Sequence, residues 1–203
     1  PSPFAGQMRL ASILKEIIVL NITVYLGASD IEDRKIIRAT QDLGHWIGSH
    51  GHCLIYGGSK SGLMGILADS VLEKGGQVVG IEPEMFIDSE LQHDGITELI
   101  VTKDFNERKD KMMEMGDCIV VMPGGTGTLE EASEVLCRIH LNMYHKKIMF
   151  LNLNKYYEPL FSMMEQMIDY GFVDEDYLDH ISFANDVDIL TWGLQGVADK
   201  LQK

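Results

Sequence analysis

A chain of 203 residues with 45% hydrophobic composition can bury one substantial core and needs only one domain to do so. Its formal net charge of -14 and pI near 4.8 exclude duplex DNA as a partner, because no basic stripe exists to displace counterions from phosphates. Three cysteines, Cys53, Cys118 and Cys137, are odd in number and set in apolar runs, which predicts reduced core thiols and a cytoplasmic setting rather than a disulfide framework.

The opening PSPFAG reads as a processed end or expression scar, so residues 1–16 are expected to be an N-terminal extension and residues 17–203 a single domain. The run IIVLNITVYL, 17–26, has the apolar density of a secretory leader. It also contains Asn21 and Thr23, is rich in β-branched residues and leads into Gly-Ala-Ser, as a buried parallel strand does. At ten residues it is far too short to cross a bilayer as a helix, and no membrane partner is expected. Further strands are expected at CLIY (53–56), QVVGI (77–81), TELIV (97–101), CIVVM (118–122) and IMFLN (148–152), with a short seventh run near 180–184. Between them the pattern predicts helices at 31–49, 62–74, 104–116, 128–143 and 156–170, and a closing helix from 186. This alternation is α/β: a Rossmann-like doubly wound parallel sheet of six or seven strands with helices on both faces. Ligands of such sheets bind outside the carboxyl ends of the strands, where Gly27, Gly57, Gly58, Gly124 and Gly125 cluster.

Three of these strand-end segments carry chemistry. YGGSKSGLMG, 56–65, lacks the Walker A and G-x-G-x-x-G spacings, so a full dinucleotide site is not expected. Its glycines would let backbone N–H groups approach a ligand, with Ser59 or Ser61 adding a hydroxyl; a tight turn with Gly62 and Gly65 easing helix packing is the plainer reading. In MPGGTGTLEE, 122–131, Gly124, Gly125 and Gly127 free the backbone to wrap an anion while Thr126 and Thr128 offer hydroxyls at a helix N-terminus. The acids Glu130 and Glu131 fit that picture less simply, and Thr128-Leu-Glu-Glu131 equally matches a capping box. In FNERKDKMM, 105–113, Arg108 and Lys109 are expected at the same end of the sheet, or on a solvated face with Asp104, Glu107 and Asp110 as partners. Cations, a phosphate cradle and two carboxylates in one crevice describe a nucleoside monophosphate site. No Cys or His spacing matches a zinc site, and neither metal nor cofactor is expected.

YGGSKSGLMG, the glutamate of EPEMFIDSELQH, NERKDKMMEMGD and MPGGTGTLEE resemble, in order and spacing, the signature segments of the LONELY GUY-type cytokinin-activating phosphoribohydrolases. The resemblance covers residues 20–170, and PGGxGTxxE, met from Pro123 to Glu131, is its most specific part. Members of that family often carry the inherited label "possible lysine decarboxylase", which the chemistry of these residues does not support. The resemblance implies hydrolysis of the N-glycosidic bond of AMP or an N6-modified AMP to the free base and ribose 5-phosphate. It implies that Glu131 holds the ribose hydroxyls and activates water, with Arg108 as catalytic partner. Gly124, Gly125, Thr126, Gly127 and Thr128 would grip the phosphate, with Ser29, Gly58 and Ser59 opposite; Glu90, Lys109 and Glu130 match substrate-binding positions. It also implies a homodimer or higher homo-oligomer, and IHLNMYHKKIMF, 139–150, has the apolar and aromatic content of such a boundary or of an ordinary buried segment.

This chain departs from the family pattern at Asn106, where histidine is usual, at Cys137 and Arg138, where Thr-Trp is common, and at Asp30, which puts a charge after Ser29. A nucleotide-binding or sensing protein that holds AMP without cleaving it is the alternative, and it would not need the Arg108 and Glu131 pair.

Overall fold

The computed structural model describes residues 18–87 and 92–202. The expected extension over 1–16 lies outside the described residues. Seven strands form one sheet: β1 (Asn21–Tyr25), β2 (Cys53–Tyr56), β3 (Gln77–Pro83), β4 (Glu98–Thr102), β5 (Cys118–Val121), β6 (Lys147–Leu151) and β7 (Ile181–Ala184). Every pairing is parallel, in the order β4-β3-β2-β1-β5-β6-β7. The chain works outward from β1 in one direction and then restarts at β5 on its other side. The carboxyl ends of β1 and β5 therefore diverge into loops that leave a crevice between them, the switch point at which such sheets bind ligands.

The helices are α1 (Arg34–Ser49), α2 (Gly62–Glu73), the short α3 (Glu84–Ile87), α4 (Phe105–Met115), α5 (Thr126–His140), α6 (Glu158–Asp169) and α7 (Val187–Leu201). Strict alternation along the strands divides the core in two. Ile22, Val24, Leu54, Tyr56 and Val120 join α1, α2 and α7 on one face. Tyr25, Ile55, Ile81, Ile119 and Val121 join α4, α5 and α6 on the other. A strand whose every position is buried can do this only with apolar residues in both phases, which is why the runs look continuous in sequence. Thr23 is a polar exception: its Oγ1 donates to the Met112 carbonyl at 2.7 Å and ties α4 down over β1.

Three helices, α1, α4 and α7, begin at an aspartate side-chain cap. Asp33 accepts from the Lys35 and Ile36 amides at 2.8 and 3.3 Å, Asp104 from Glu107 at 2.9 Å, and Asp186 from Ile189 at 2.8 Å. At α5 the capping position is Gly125, and no side chain caps it.

The structure corrects several expectations. Helix α5 starts at Thr126, two residues before its expected start, and ends at His140; glycine and threonine are poor helix formers, so propensity hides its first turn. Strand β3 runs on to Pro83 and is followed by α3, which the sequence did not suggest. Cys53 and Cys118 are buried thiols, but Cys137 is exposed, because Val135, Leu136 and Ile139 take the inward face of α5. In the segment 139–150, Ile139, Tyr144 and Phe150 are buried while Leu141 and Met143 are 57% and 67% exposed.

Candidate active site

The crevice between β1 and β5 opens into a cavity of about 400 Å³, within the range of small-molecule sites. One wall is the turn after β1, including Gly27 and Ser29; another is the N-terminus of α5, from Gly125 to Thr128. Arg108 and Glu131 form the polar floor, and Met64, Pro83, Phe86 and Phe105 an apolar side. Phe86 and Phe105 meet edge to face at 5.5 Å between ring centroids.

Arg108 projects from the first turn of α4, where it is 8% exposed. Its Nε donates to the Ile81 carbonyl at the end of β3 at 2.9 Å, and its Nη1 to Glu131 Oε1 on α5 at 2.5 Å. The guanidinium also fills the space over Gly57, where an added Cβ would lie 2.3 Å from Nη2. Glycine at 57 is thus the condition for Arg108 to reach the cavity. Glu131 is 7% exposed; burial pushes its carboxyl above the ordinary carboxylate range, and the Arg108 guanidinium opposes that rise. A carboxylate so placed is a stronger base than one in water. It does not serve a capping box: Glu131 lies in the second turn of α5 and its Oε1 accepts from Arg108.

The loop ahead of α5 is held from below. Tyr157 Oη donates to the Met122 carbonyl at 2.7 Å and Tyr156 Oη to the Gly124 carbonyl at 2.5 Å. Gly124 is a packing residue, since a Cβ there would lie 2.2 Å from Thr128 Oγ1. The start of α5 has no side-chain cap and lines the cavity, so the positive end of the helix dipole lies at its wall, an arrangement that favours an anion.

The expected site residues separate into groups. Ser29, Ser59, Arg108, Gly125, Thr126, Gly127, Thr128 and Glu131 come together around the cavity. Gly58 lies just behind it, with φ +84°, a backbone region that glycine enters freely. Lys109 and Glu130 do meet, but beside the cavity rather than in it. Lys109 Nζ pairs with Glu130 at 2.5 Å and Glu134 at 2.8 Å, and Arg138 bonds Glu134 at 2.6 Å and also Asp110. Glu90 lies outside the described residues. The apolar side and Glu82 were not anticipated; Glu82 carried a signal, as an acid at the end of the apolar run QVVGIEP.

Residues 64–192 match the family model described as "Possible lysine decarboxylase". A cytokinin riboside 5'-monophosphate phosphoribohydrolase from Rhodococcoides fascians is 38% identical over 169 residues, 83% of this chain and 85% of that protein. The chain belongs to the LONELY GUY-type phosphoribohydrolase family. A relative of the same description from Arabidopsis thaliana is 35% identical over 152 residues, 75% of this chain and 67% of that protein. Among solved structures, a molybdenum cofactor binding protein from Rippkaea orientalis shares the fold with a TM-score of 0.68 at 19% identity, covering 89% of this chain and 98% of that one. A molybdenum cofactor carrier protein from Chlamydomonas reinhardtii does so at 0.66 and 22%, covering 89% and 98%. The decarboxylase label of the family fits this cavity poorly. Pyridoxal phosphate chemistry needs a lysine to carry the Schiff base, and among the described residues no lysine lines the cavity: Lys109 is engaged beside it and Lys60 is exposed.

Proposed function

We propose that this protein hydrolyses the N-glycosidic bond of a purine nucleoside 5'-monophosphate, AMP or an N6-modified AMP, releasing the free base and ribose 5-phosphate. The observation that carries this reading is the 2.5 Å pair between Arg108 and Glu131 in a cavity whose wall is the uncapped start of α5. The phosphate docks on the amides from Gly125 to Thr128, with Ser29 and Ser59 across the cavity. The ribose lies over Glu131 and the base against Phe86, Phe105 and Met64.

As the bond to the base lengthens, positive charge develops on the ribose in an oxocarbenium-like transition state. The Glu131 carboxylate stabilises that charge, positions water and takes its proton, while Arg108 keeps the carboxylate ionised and aimed. Lys109 and Glu130 act at one remove, bracing α4 against α5. The family relatives are described as acting on cytokinin riboside 5'-monophosphates, and the apolar side of this cavity suits an N6-alkyl group. The protein works as a cytoplasmic homodimer or higher homo-oligomer, a reading supported by buried thiols and by exposed Leu129, Leu141 and Met143. No helix among the described residues is long and apolar enough to cross a membrane.

The test is to incubate the protein with a panel of nucleoside monophosphates and the matching nucleosides, and to follow free base by chromatography. Monophosphates are expected to be cleaved and nucleosides to be poor substrates, because binding energy from the phosphate is used at the reacting centre. Absence of base release from every purine monophosphate would leave a nucleotide-binding protein of the same fold.

A further inference from the structure

A second carboxyl lines the cavity, and nothing in the Arg108 and Glu131 pair accounts for it. Glu82 sits near the end of β3, is only 4% exposed, and lines the same cavity as Glu131. Its Oε2 is buried with no hydrogen-bond partner among the described residues. A buried carboxylate in that position is costly unless it is neutral or meets a ligand. The Gly58 backbone lies against this side chain: an added Cβ there would be 3.3 Å from Glu82 Cβ and 3.5 Å from Oε2.

Beside Glu82 the cavity wall is Pro83 and Phe86, the apolar side that takes the base in the reading above, on which this inference rests. We propose that Glu82 is a further catalytic residue of this site: a general acid that protonates the purine as its bond to ribose breaks. The step balances. The C1'–N9 bond breaks with its electron pair moving into the purine; the Glu82 proton goes to N7; water adds to C1' and gives its proton to Glu131. Solvent then returns a proton to Glu82 and takes one from Glu131. The charged or titratable groups coupled to Glu82 are Arg108 from α4 and Tyr56 from β2. Burial raises the Tyr56 phenol, with Glu82 adding to the rise, so it does not compete for the proton in the working range. Burial also raises the Glu82 carboxyl above its ordinary value, with Arg108 opposing, which favours the protonated form a general acid needs.

The experiment compares the parent protein and Glu82→Gln on two substrates: the purine monophosphate the parent cleaves fastest, and the same nucleotide methylated at N7. The methylated purine is already cationic and leaves without a proton. The expected result is a loss of roughly 10²–10⁴-fold in kcat on the plain nucleotide, the contribution typical of a general acid, with the methylated nucleotide cleaved by both proteins at the same rate. In the parent, kcat on the plain nucleotide falls as pH rises through deprotonation of Glu82, and kcat on the methylated one does not; this arm needs no variant. Equal loss on both substrates, no loss on either, or failure of the parent to cleave the methylated nucleotide overturns the assignment. If the parent releases no base from any nucleotide, it is the hydrolase reading that falls.

Discussion

Arg108 and Lys109 are neighbours in sequence, as are Glu130 and Glu131, and the fold joins them crosswise into two ion pairs with opposite surroundings. Arg108 and Glu131 meet at 2.5 Å with side chains 10% and 8% exposed, inside a cavity. Lys109 and Glu130 meet at the same distance, but Glu130 is 59% exposed and the pair continues into a surface network through Glu134 and Arg138 to Asp110. A step of one residue turns a helical side chain by about 100°, so Lys109 is as buried as Arg108 but lies beside the cavity, and Glu130, unlike Glu131, reaches solvent. Two cation–carboxylate pairs thus meet different surroundings, and in the function proposed above one is the reacting centre and the other a brace between α4 and α5.

Neutralising the inner pair has the largest consequence. Arg108→Ala and Glu131→Gln are each expected to lower kcat by about 10²–10⁴-fold, measured as base released from AMP. Arg108→Ala also strands a buried carboxylate, at a stability cost of about 3–5 kcal/mol read by denaturant unfolding.

Gly57→Ala probes the inner pair without touching its charges. The new methyl would lie 2.3 Å from the resting position of Arg108 Nη2, and the guanidinium must move. A displacement on the order of 1 Å at a reacting centre costs about 10²-fold in rate. An unchanged rate in this variant would show that the position of Arg108 does not matter.

The outer pair should behave differently. Glu130→Gln is expected to leave kcat within a few-fold of the parent and to cost only about 0.2–1 kcal/mol, as exposed pairs do. A loss as large as that of Glu131→Gln would place the outer pair in the chemistry and erase the contrast.

Two buried or paired carboxylates also make melting depend on pH. Burial raises the Glu82 carboxyl above its ordinary 4.5, so the unfolded chain releases that proton first. Stability is then lost as pH rises from the unfolded value to the folded one. At Glu134, burial raises the carboxyl but hydrogen bonds from Lys109 and Arg138 outweigh it, and the net shift is downward. Its contribution is present above the ordinary value and lost as pH falls through the folded one. Glu82→Leu should therefore remove a fall in Tm as pH rises above 4.5, and Glu134→Gln a fall as pH drops below 4.5. Glu82→Leu should also raise stability by about 1–3 kcal/mol, since it deletes an unpartnered buried carboxyl, while removing activity.

Much of the fold is legible in the chain itself, because a parallel sheet buried on both faces leaves continuous apolar runs such as CLIY and CIVV with glycines where they end. The site is legible to the extent that it is built of short contiguous segments: PGGTGT and ERK identify the loop and the helix that carry it. What pattern alone does not resolve is rotation about an axis. Lys109 looks as eligible as Arg108 until the turn of α4 is fixed, and Glu131 looks like a cap until α5 is found to start at Thr126. The apolar side of the cavity is hidden for another reason. Met64, Pro83, Phe86 and Phe105 come from four segments, and each alone resembles ordinary core.

The central claim is that Arg108 and Glu131 act together on the bond between ribose and base. The most direct measurement is base release from AMP by the parent and by Glu131→Gln, at protein concentrations high enough to detect a single turnover, with AMP binding followed in parallel by calorimetry. The expected result is that the parent releases adenine and ribose 5-phosphate in equal amounts, while Glu131→Gln still binds AMP but releases adenine about 10²–10⁴-fold more slowly. Adenine released by Glu131→Gln at the parent's rate would contradict the claim outright.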